Sequence, residues 1–152
     1  MISKSRQNYA GNLHRLAVLL ILWALSSGLS ADERIVMVTH PDNTQNITQE
    51  DLYRLYFGKL RTLPNGQRLI AIVNKNDDDQ LKRFTSSILK RSAQQLRSYW
   101  ARQLFTGKGK PPLQVEGAEA IKKLIANNPE YVGYLWETEV DTSVKVLIVA
   151  GT

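Results

Sequence analysis

The chain has 152 residues, a formal net charge of +6 and no cysteine. The lack of cysteine excludes disulfides, thiol catalysis and cysteine-ligated metal. With 43% hydrophobic residues, the chain is long enough for one domain with a real core.

The first 31 residues form a predicted secretory signal peptide. Lys4, Arg6 and Arg15 precede the ten-residue apolar run LAVLLILWAL, and small residues follow it. That run is shorter than the about 20 residues that a membrane span needs. Cleavage after Ser30 or after Ala31 fits the pattern, and an uncleaved N-terminal anchor is the alternative. We therefore expect a periplasmic protein whose only membrane contact is its signal peptide.

Residues 32–152, the predicted mature domain, carry much less charge than the whole chain. They hold 17 basic and 14 acidic residues, which gives a net charge of +3. This small excess is weak evidence for a nucleic-acid or membrane partner, and we expect neither.

The predicted elements of this domain alternate between strands and helices. In chain order they are a strand at 34–38, a helix that begins at Thr48 and ends at Gly58, a turn at 63–66, a strand at 68–73 and a helix at 78–89. A helix capped by Ser92, an exposed loop at 106–112, a helix ended by Asn128 and Pro129, and the strands YVGYLW and VKVLIVA follow. This order predicts an α/β domain with a sheet of four or five strands flanked by helices.

Apolar residues at helical spacing give the predicted core-facing side of each helix. They are Leu52, Leu55 and Tyr56, then Leu81, Phe84, Ile88 and Leu89, then Leu96, Tyr99, Trp100 and Leu104, and finally Ala118, Ile121, Leu124 and Ile125.

Three stretches in the same order resemble a known family. They are DLYRLYFGKLRTLPNGQRLIAIVNKND, YWARQLFTGKGKPP and NNPEYVGYL. Together they resemble the phosphate ABC transporter substrate-binding proteins, and in particular their short phosphate-binding-protein-like relatives. The F-G-K turn at the end of the first helix and the pattern of Pro129, Gly133 and Tyr134 are the family's markers.

The resemblance implies a three-layer mixed sheet flanked by helices, similar to one lobe of a type II periplasmic binding protein. Members of full length close two such lobes on the ligand, and the opposing lobe is expected to be absent here. The resemblance also implies a non-enzymatic solute-binding module without a cofactor. A single lobe would offer an open half-site unless two chains came together.

The family's phosphate loop aligns with AIVNKNDDDQLKRF at residues 71–84. Its arginine falls on Asn74, its serine on Asp78, its glycine on Asp79 and its threonine on Gln80. A guanidinium has thus become a neutral amide, and a donor hydroxyl has become a carboxylate that only accepts hydrogen bonds. We therefore expect that this loop does not bind phosphate in the family's manner.

Two interpretations of the consecutive acids Asp77, Asp78 and Asp79 remain open. Acidic groups in the first turn stabilise a helix, so the three residues are explained by capping. A cation site is the second interpretation. Calcium loops space their carboxylates at alternating positions and add a distant glutamate, and that pattern is missing here, so we expect no metal.

Two further groups of residues are candidate ligand contacts. Thr39 and His40, with Asn43, follow the first strand, where α/β folds often bind ligands. Lys108 and Lys110 lie in the glycine-containing loop TGKGKPP and could contact an anion or an acidic partner. The alternative for both groups is a solvated loop without a ligand.

These residues and the resemblance are compatible with three functions. The first is capture of a small oxyanion or related solute by a periplasmic binding module. The second is a repurposed single lobe that binds a protein of the cell envelope or has a structural role there. The third, an envelope hydrolase, ranks last because no nucleophile elbow, histidine pair or phosphate-loop motif is present.

Overall fold

The computed structural model describes residues 34–149, without the side chains of Ile148 and Val149. Its strands are β1 (Ile35–Thr39), β2 (Ile70–Asn74), β3 (Leu113–Val115), β4 (Tyr131–Trp136) and β5 (Lys145–Val149). Its helices are α1 (Gln49–Tyr56), α2 (Asp78–Ser87), α3 (Ala93–Phe105) and α4 (Ala118–Asn127), and a 3-10 turn (Glu137–Glu139) follows β4. The signal-peptide prediction lies outside the described residues and stays a prediction.

The five strands form one mixed sheet in the order β3-β2-β4-β1-β5. The strands β3, β2 and β4 run parallel, whereas β1 runs antiparallel to both β4 and β5. All five residues of β1 are buried, because β1 lies between β4 and β5 and helices cover both faces of the sheet. Within the described residues, the sheet ends in the short strand β3 on one side and in β5 on the other.

Helices cover both faces of the sheet, which confirms the predicted three-layer α/β architecture. On one face, α1, α2 and α3 pack against the sheet around Tyr56, Phe84 and Trp100. On the other face, α4 packs through Ile121 and Ile125. No helix within residues 34–149 has the length and apolar character needed to cross a membrane.

Local sequence signals set the beginnings of these helices. Thr48 and Asp51 form the predicted capping box at α1, and Ser92 caps α3 together with Gln95. Gly58 ends the α1 region with a positive φ of 67°. The loop at 106–112 is largely exposed, as its composition predicts.

Three details of the predicted organisation are wrong. The strand β3 was not predicted, because three residues are too few to show a periodic pattern. The helix α2 ends at Ser87, two residues before the predicted end. Leu104, which was expected to face the core, is 57% exposed because the last turn of α3 extends beyond the sheet.

Candidate functional site

The candidate site is the connection between β2 and α2, which corresponds to the phosphate loop of the resemblance. It lies where β2 ends at Asn74 and α2 begins after Asp77. The end of β4 and the 3-10 turn pack beside it, through Trp136 and Glu139. The carboxyl end of a parallel strand followed by a helix N-terminus is a common place for a ligand.

Buried amide side chains fill the middle of this connection. Asn74 is 5% exposed, and Gln80 is fully buried. The Nδ2 of Asn74 donates to the Oε1 of Gln80 at 3.0 Å, and the Nε2 of Gln80 donates to the Oε2 of Glu139 at 2.8 Å. The Oδ1 of Asn74 also accepts from the backbone N–H groups of Asn76 and Gly117, each at 3.2 Å.

The carboxylate of Asp77 is held on both sides. Its Oδ1 accepts from the backbone N–H of Gln80 at 2.8 Å, which makes Asp77 the N-cap of α2. Its Oδ2 accepts from the indole Nε1 of Trp136 at 3.0 Å. The capping interpretation is thus confirmed for this residue, and its carboxylate is turned toward β4.

The other two aspartates lie at the surface and pair with cations. Asp78 accepts from a guanidinium nitrogen of Arg97 on α3 at 2.7 Å. Asp79 accepts from the Nζ of Lys82 at 2.8 Å, and this hydrogen bond lowers the pKa of Asp79 from its ordinary value. The three carboxylates therefore point to three different partners.

Tyr134 lies beneath the loop and is the one residue of the described chain with a buried side-chain polar atom that lacks a hydrogen-bond partner. Its ring stacks on Phe84 with 4.1 Å between centroids and 8° between planes. Burial raises the pKa of Tyr134, while the nearby backbone of Asn74 acts in the opposite direction. The hydroxyl therefore stays neutral at physiological pH.

Thr39 and His40 are not part of this site. The strands β1 and β4 are antiparallel, and Thr39 pairs with Val132 near the start of β4. The loop after β2 lies instead beside the end of β4, so the two groups occupy opposite ends of the sheet.

The residues around Thr39 have a structural arrangement of their own. Thr39 is fully buried and accepts from the Nδ2 of Asn43 at 3.0 Å, and its own hydroxyl donates to the carbonyl of Tyr131. The Nδ1 of His40 accepts from the backbone N–H of Asp42 at 3.1 Å, and only 18% of the histidine side chain is exposed. These contacts fix the turn after β1.

Two clefts lie beside the edge strand β3, on either side of Pro111 and Pro112. One cleft, of 390 Å³, includes Asn74, Asp78 and Arg97 in its lining. The other, of 290 Å³, includes Lys110. Both lysines predicted as ligand contacts, Lys108 and Lys110, are exposed in the loop that leads to β3. Lys110 thus lies nearer to the start of β2 than to the site at its end.

Sequence reasoning missed Trp136, Glu139 and Arg97 as parts of the site. Their distance along the chain from the loop hides them, because each belongs to another element and carries no motif. Within residues 34–149, no group of three or more histidine or acidic side chains is placed to hold a metal ion.

Comparison with known proteins identifies a fold and not a family. Neither a protein-family model nor a curated protein matches the sequence. Among solved structures, an ABC-type phosphate transport receptor from Vibrio cholerae matches with a TM-score of 0.51 and 19% identity, over 76% of this chain and 45% of that chain.

Two further structures show the same likeness. A protein from Clostridium perfringens, assigned as a phosphate ABC transporter substrate-binding protein and containing bound phosphate, gives a TM-score of 0.57 at 18% identity, over 76% of this chain and 44% of that chain. PstS from Borrelia burgdorferi gives a TM-score of 0.52 at 12% identity, over 76% of this chain and 46% of that chain. The chain thus spans less than half the length of these proteins. Its sheet and flanking helices have the fold of one lobe of these phosphate transport proteins.

Proposed function

We propose that this chain is a non-enzymatic, exported module of the cell envelope that binds another protein and does not hold phosphate in its β2–α2 loop. The observation that argues against phosphate is the closed set of hydrogen bonds among Asn74, Asp77, Gln80, Trp136 and Glu139. Protein binding is supported by large apolar side chains exposed on the last turn of α3 and on β3. The side chains that would face a ligand are occupied by one another.

The chemistry of the loop also opposes an oxyanion. Phosphate needs hydrogen-bond donors, whereas the carboxylates of Asp78 and Asp79 are acceptors only. A unit negative charge about 4 Å from one of them is repelled by roughly 4 kcal/mol at an effective dielectric constant of 20. Arg97 brings a guanidinium to this end of the loop, but Asp78 already accepts a hydrogen bond from it at 2.7 Å. A phosphate would have to displace that carboxylate.

Capture of a small oxyanion is the second candidate function. Bound phosphate in the Clostridium perfringens structure favours it, since that protein has the same lobe fold. The exposed lysines Lys108 and Lys110 also supply positive charge. Under this candidate the anion would lie outside the closed loop.

A pair of experiments on the full chain, purified from the cell envelope, separates the two functions. In the first, thermal unfolding is followed while phosphate and sulfate are titrated to millimolar concentrations. A ligand at 100 times its dissociation constant adds about 2.7 kcal/mol of stability, so real binding is easily seen. We expect no rise of the unfolding temperature beyond that caused by chloride at equal ionic strength.

In the second experiment, the chain carries a photo-crosslinking residue and is irradiated in intact cells. We expect one discrete crosslinked protein. A saturable stabilisation by phosphate would contradict the proposal and establish the second candidate. Absence of any discrete crosslink from all surfaces tested would also contradict it.

A further inference from the structure

The strongest unassigned feature is the free edge of the sheet at β3. We propose that this edge binds an extended acidic and apolar segment of a partner protein, which adds to the sheet as a strand beside β3. The inference rests on the proposed protein-binding function and names the surface and the chemistry of its partner.

The first observation is the direction of the backbone groups of β3. The carbonyl of Val115 accepts from the N–H of Lys75 at 2.8 Å, so the backbone N–H and carbonyl of Val115 face β2. Because the backbone groups of successive strand residues face opposite edges, those of Leu113 also face β2, and those of Gln114 face away from it. The N–H and carbonyl of Gln114 lie on the side of β3 where no further strand is found among residues 34–149. They are available to pair with an added strand.

The second observation is a concentration of exposed apolar surface at this edge. Four large hydrophobic side chains are exposed within the described residues, and three of them flank the loop to β3. They are Leu104 at 57%, Phe105 at 93% and Leu113 at 40% exposed. The clefts of 290 and 390 Å³ lie beside the same strand. Leu104 lines the larger of these clefts and Leu113 the smaller, and exposed apolar surface beside clefts is typical of a protein-binding surface.

The third observation is the charge of the rim, which selects the partner. Three acids at this edge are already paired, in the ion pairs Arg68–Glu130, Lys75–Glu116 and Arg97–Asp78. Arg61, Lys108 and Lys110 add three positive charges that make no ion pair within the part of the chain that the structure describes. The edge is therefore net positive, and an acidic segment complements it.

The same charge argues against a second copy of this chain as the occupant. Two copies paired through β3 would join two edges that are both net positive, and like charge across an interface is unfavourable. An extended segment that alternates apolar residues with Asp or Glu meets the charges without this repulsion. Its backbone would bond to Gln114, and its apolar side chains would enter the clefts.

The test uses a display library of random eight-residue segments, selected against the full chain. We expect enrichment of segments in which apolar residues alternate with Asp or Glu. One enriched segment is then synthesised with a fluorophore, and its affinity is measured by anisotropy for the wild-type chain and for four variants.

The variants separate backbone pairing and charge from general effects. Gln114→Pro removes the outward N–H, which an edge strand tolerates, and Gln114→Ala keeps it. We expect binding about tenfold weaker for Gln114→Pro, as for loss of one good hydrogen bond, and little change for Gln114→Ala. Lys110→Glu should weaken binding by a similar factor, whereas Lys123→Glu, on the exposed side of α4, should not.

Several results would overturn the inference. These are no enrichment, enrichment of segments without acids, or equal affinity for Gln114→Pro and Gln114→Ala. Concentration-dependent dimers in sedimentation that Gln114→Pro abolishes would assign the edge to a second copy. A discrete crosslinked partner in cells that persists in Gln114→Pro would leave the proposed function standing and remove this surface from it. Binding of phosphate would instead remove the proposed function.

Discussion

Replacing Gln80 by leucine tests whether the hydrogen bonds within the β2–α2 connection hold the lobe together. The side chain is fully buried and makes two hydrogen bonds, with Asn74 at 3.0 Å and with Glu139 at 2.8 Å. A neutral hydrogen bond contributes about 0.5–1.5 kcal/mol and one to a charged group about 1.5–3 kcal/mol. Leucine fills a similar volume, so the loss reports the polar contacts and not a cavity.

The partners limit the loss because each keeps other contacts. Glu139 still accepts from the backbone N–H of Trp136 at 3.0 Å, and Asn74 keeps its two backbone donors. We therefore expect the free energy of unfolding to fall by about 2–3 kcal/mol.

Urea unfolding followed by tryptophan fluorescence measures this difference. Gln94→Leu is the matched control, since Gln94 is exposed on α3 and a surface substitution changes stability by less than about 0.5 kcal/mol. Equal stability of the two variants would refute the reasoning, because the network would then contribute nothing.

The remaining predictions concern the core, a turn and an ion pair. Tyr134→Phe should leave the free energy of unfolding unchanged or raise it, since the hydroxyl of Tyr134 has no hydrogen-bond partner. Tyr56→Phe loses a 2.8 Å hydrogen bond to a backbone carbonyl and should lower the free energy of unfolding by about 1–2 kcal/mol. Calorimetry measures both variants, and a larger loss for Tyr134→Phe would contradict this prediction. Gly58→Ala should lower the free energy of unfolding in urea more than Gly66→Ala does. Both glycines have a positive φ, but only at Gly58 would a Cβ lie 2.7 Å from a carbon of the Trp100 indole. Equal losses of stability would be inconsistent with that contact. The hydrogen bond from Lys122 on α4 lowers the pKa of Asp141. The ionised carboxylate of Asp141 therefore stabilises the folded chain above its ordinary pKa of about 3.9, and this stabilisation is lost as the pH falls below that value. The stability difference between wild type and Asp141→Asn, measured by urea unfolding from pH 7 to 2, should therefore shrink at acid pH, and a constant difference would contradict the assignment.

The sequence predicted the layer architecture well because the helices are amphipathic and three of the four begin at a side-chain cap. Ser92 and Thr48 each begin a helix by a local hydrogen bond that the sequence alone reveals. The strand β3 was missed because its three residues are defined by pairing with β2, and Leu104 was misplaced because the helical period continues past the edge of the sheet.

The candidate site was only partly predictable, for a physical reason. The sequence shows carboxylates at positions that the resemblance aligns with hydrogen-bond donors, and this predicts that the loop does not bind phosphate. The contacts of Asp77 with Trp136 and of Gln80 with Glu139 span 59 positions each, and no local pattern predicts them. Thr39 was grouped with ligand contacts by its position after a strand, but the antiparallel direction of β1 places it at the other end of the sheet.

The fold of this chain is compatible with a β2–α2 loop whose side chains bond within the lobe. In this chain, amide and carboxylate side chains occupy that loop and bond to β4 and the turn after it. Fold likeness at 12–19% identity therefore says little about what the lobe binds.

Calorimetric titration of inorganic phosphate into the full chain, at low ionic strength and neutral pH, tests the central claim most directly. The bonded loop predicts no saturable heat up to millimolar phosphate. A saturable isotherm that Gln80→Leu or Asp78→Asn alters would show that the ion enters this loop and would contradict the account.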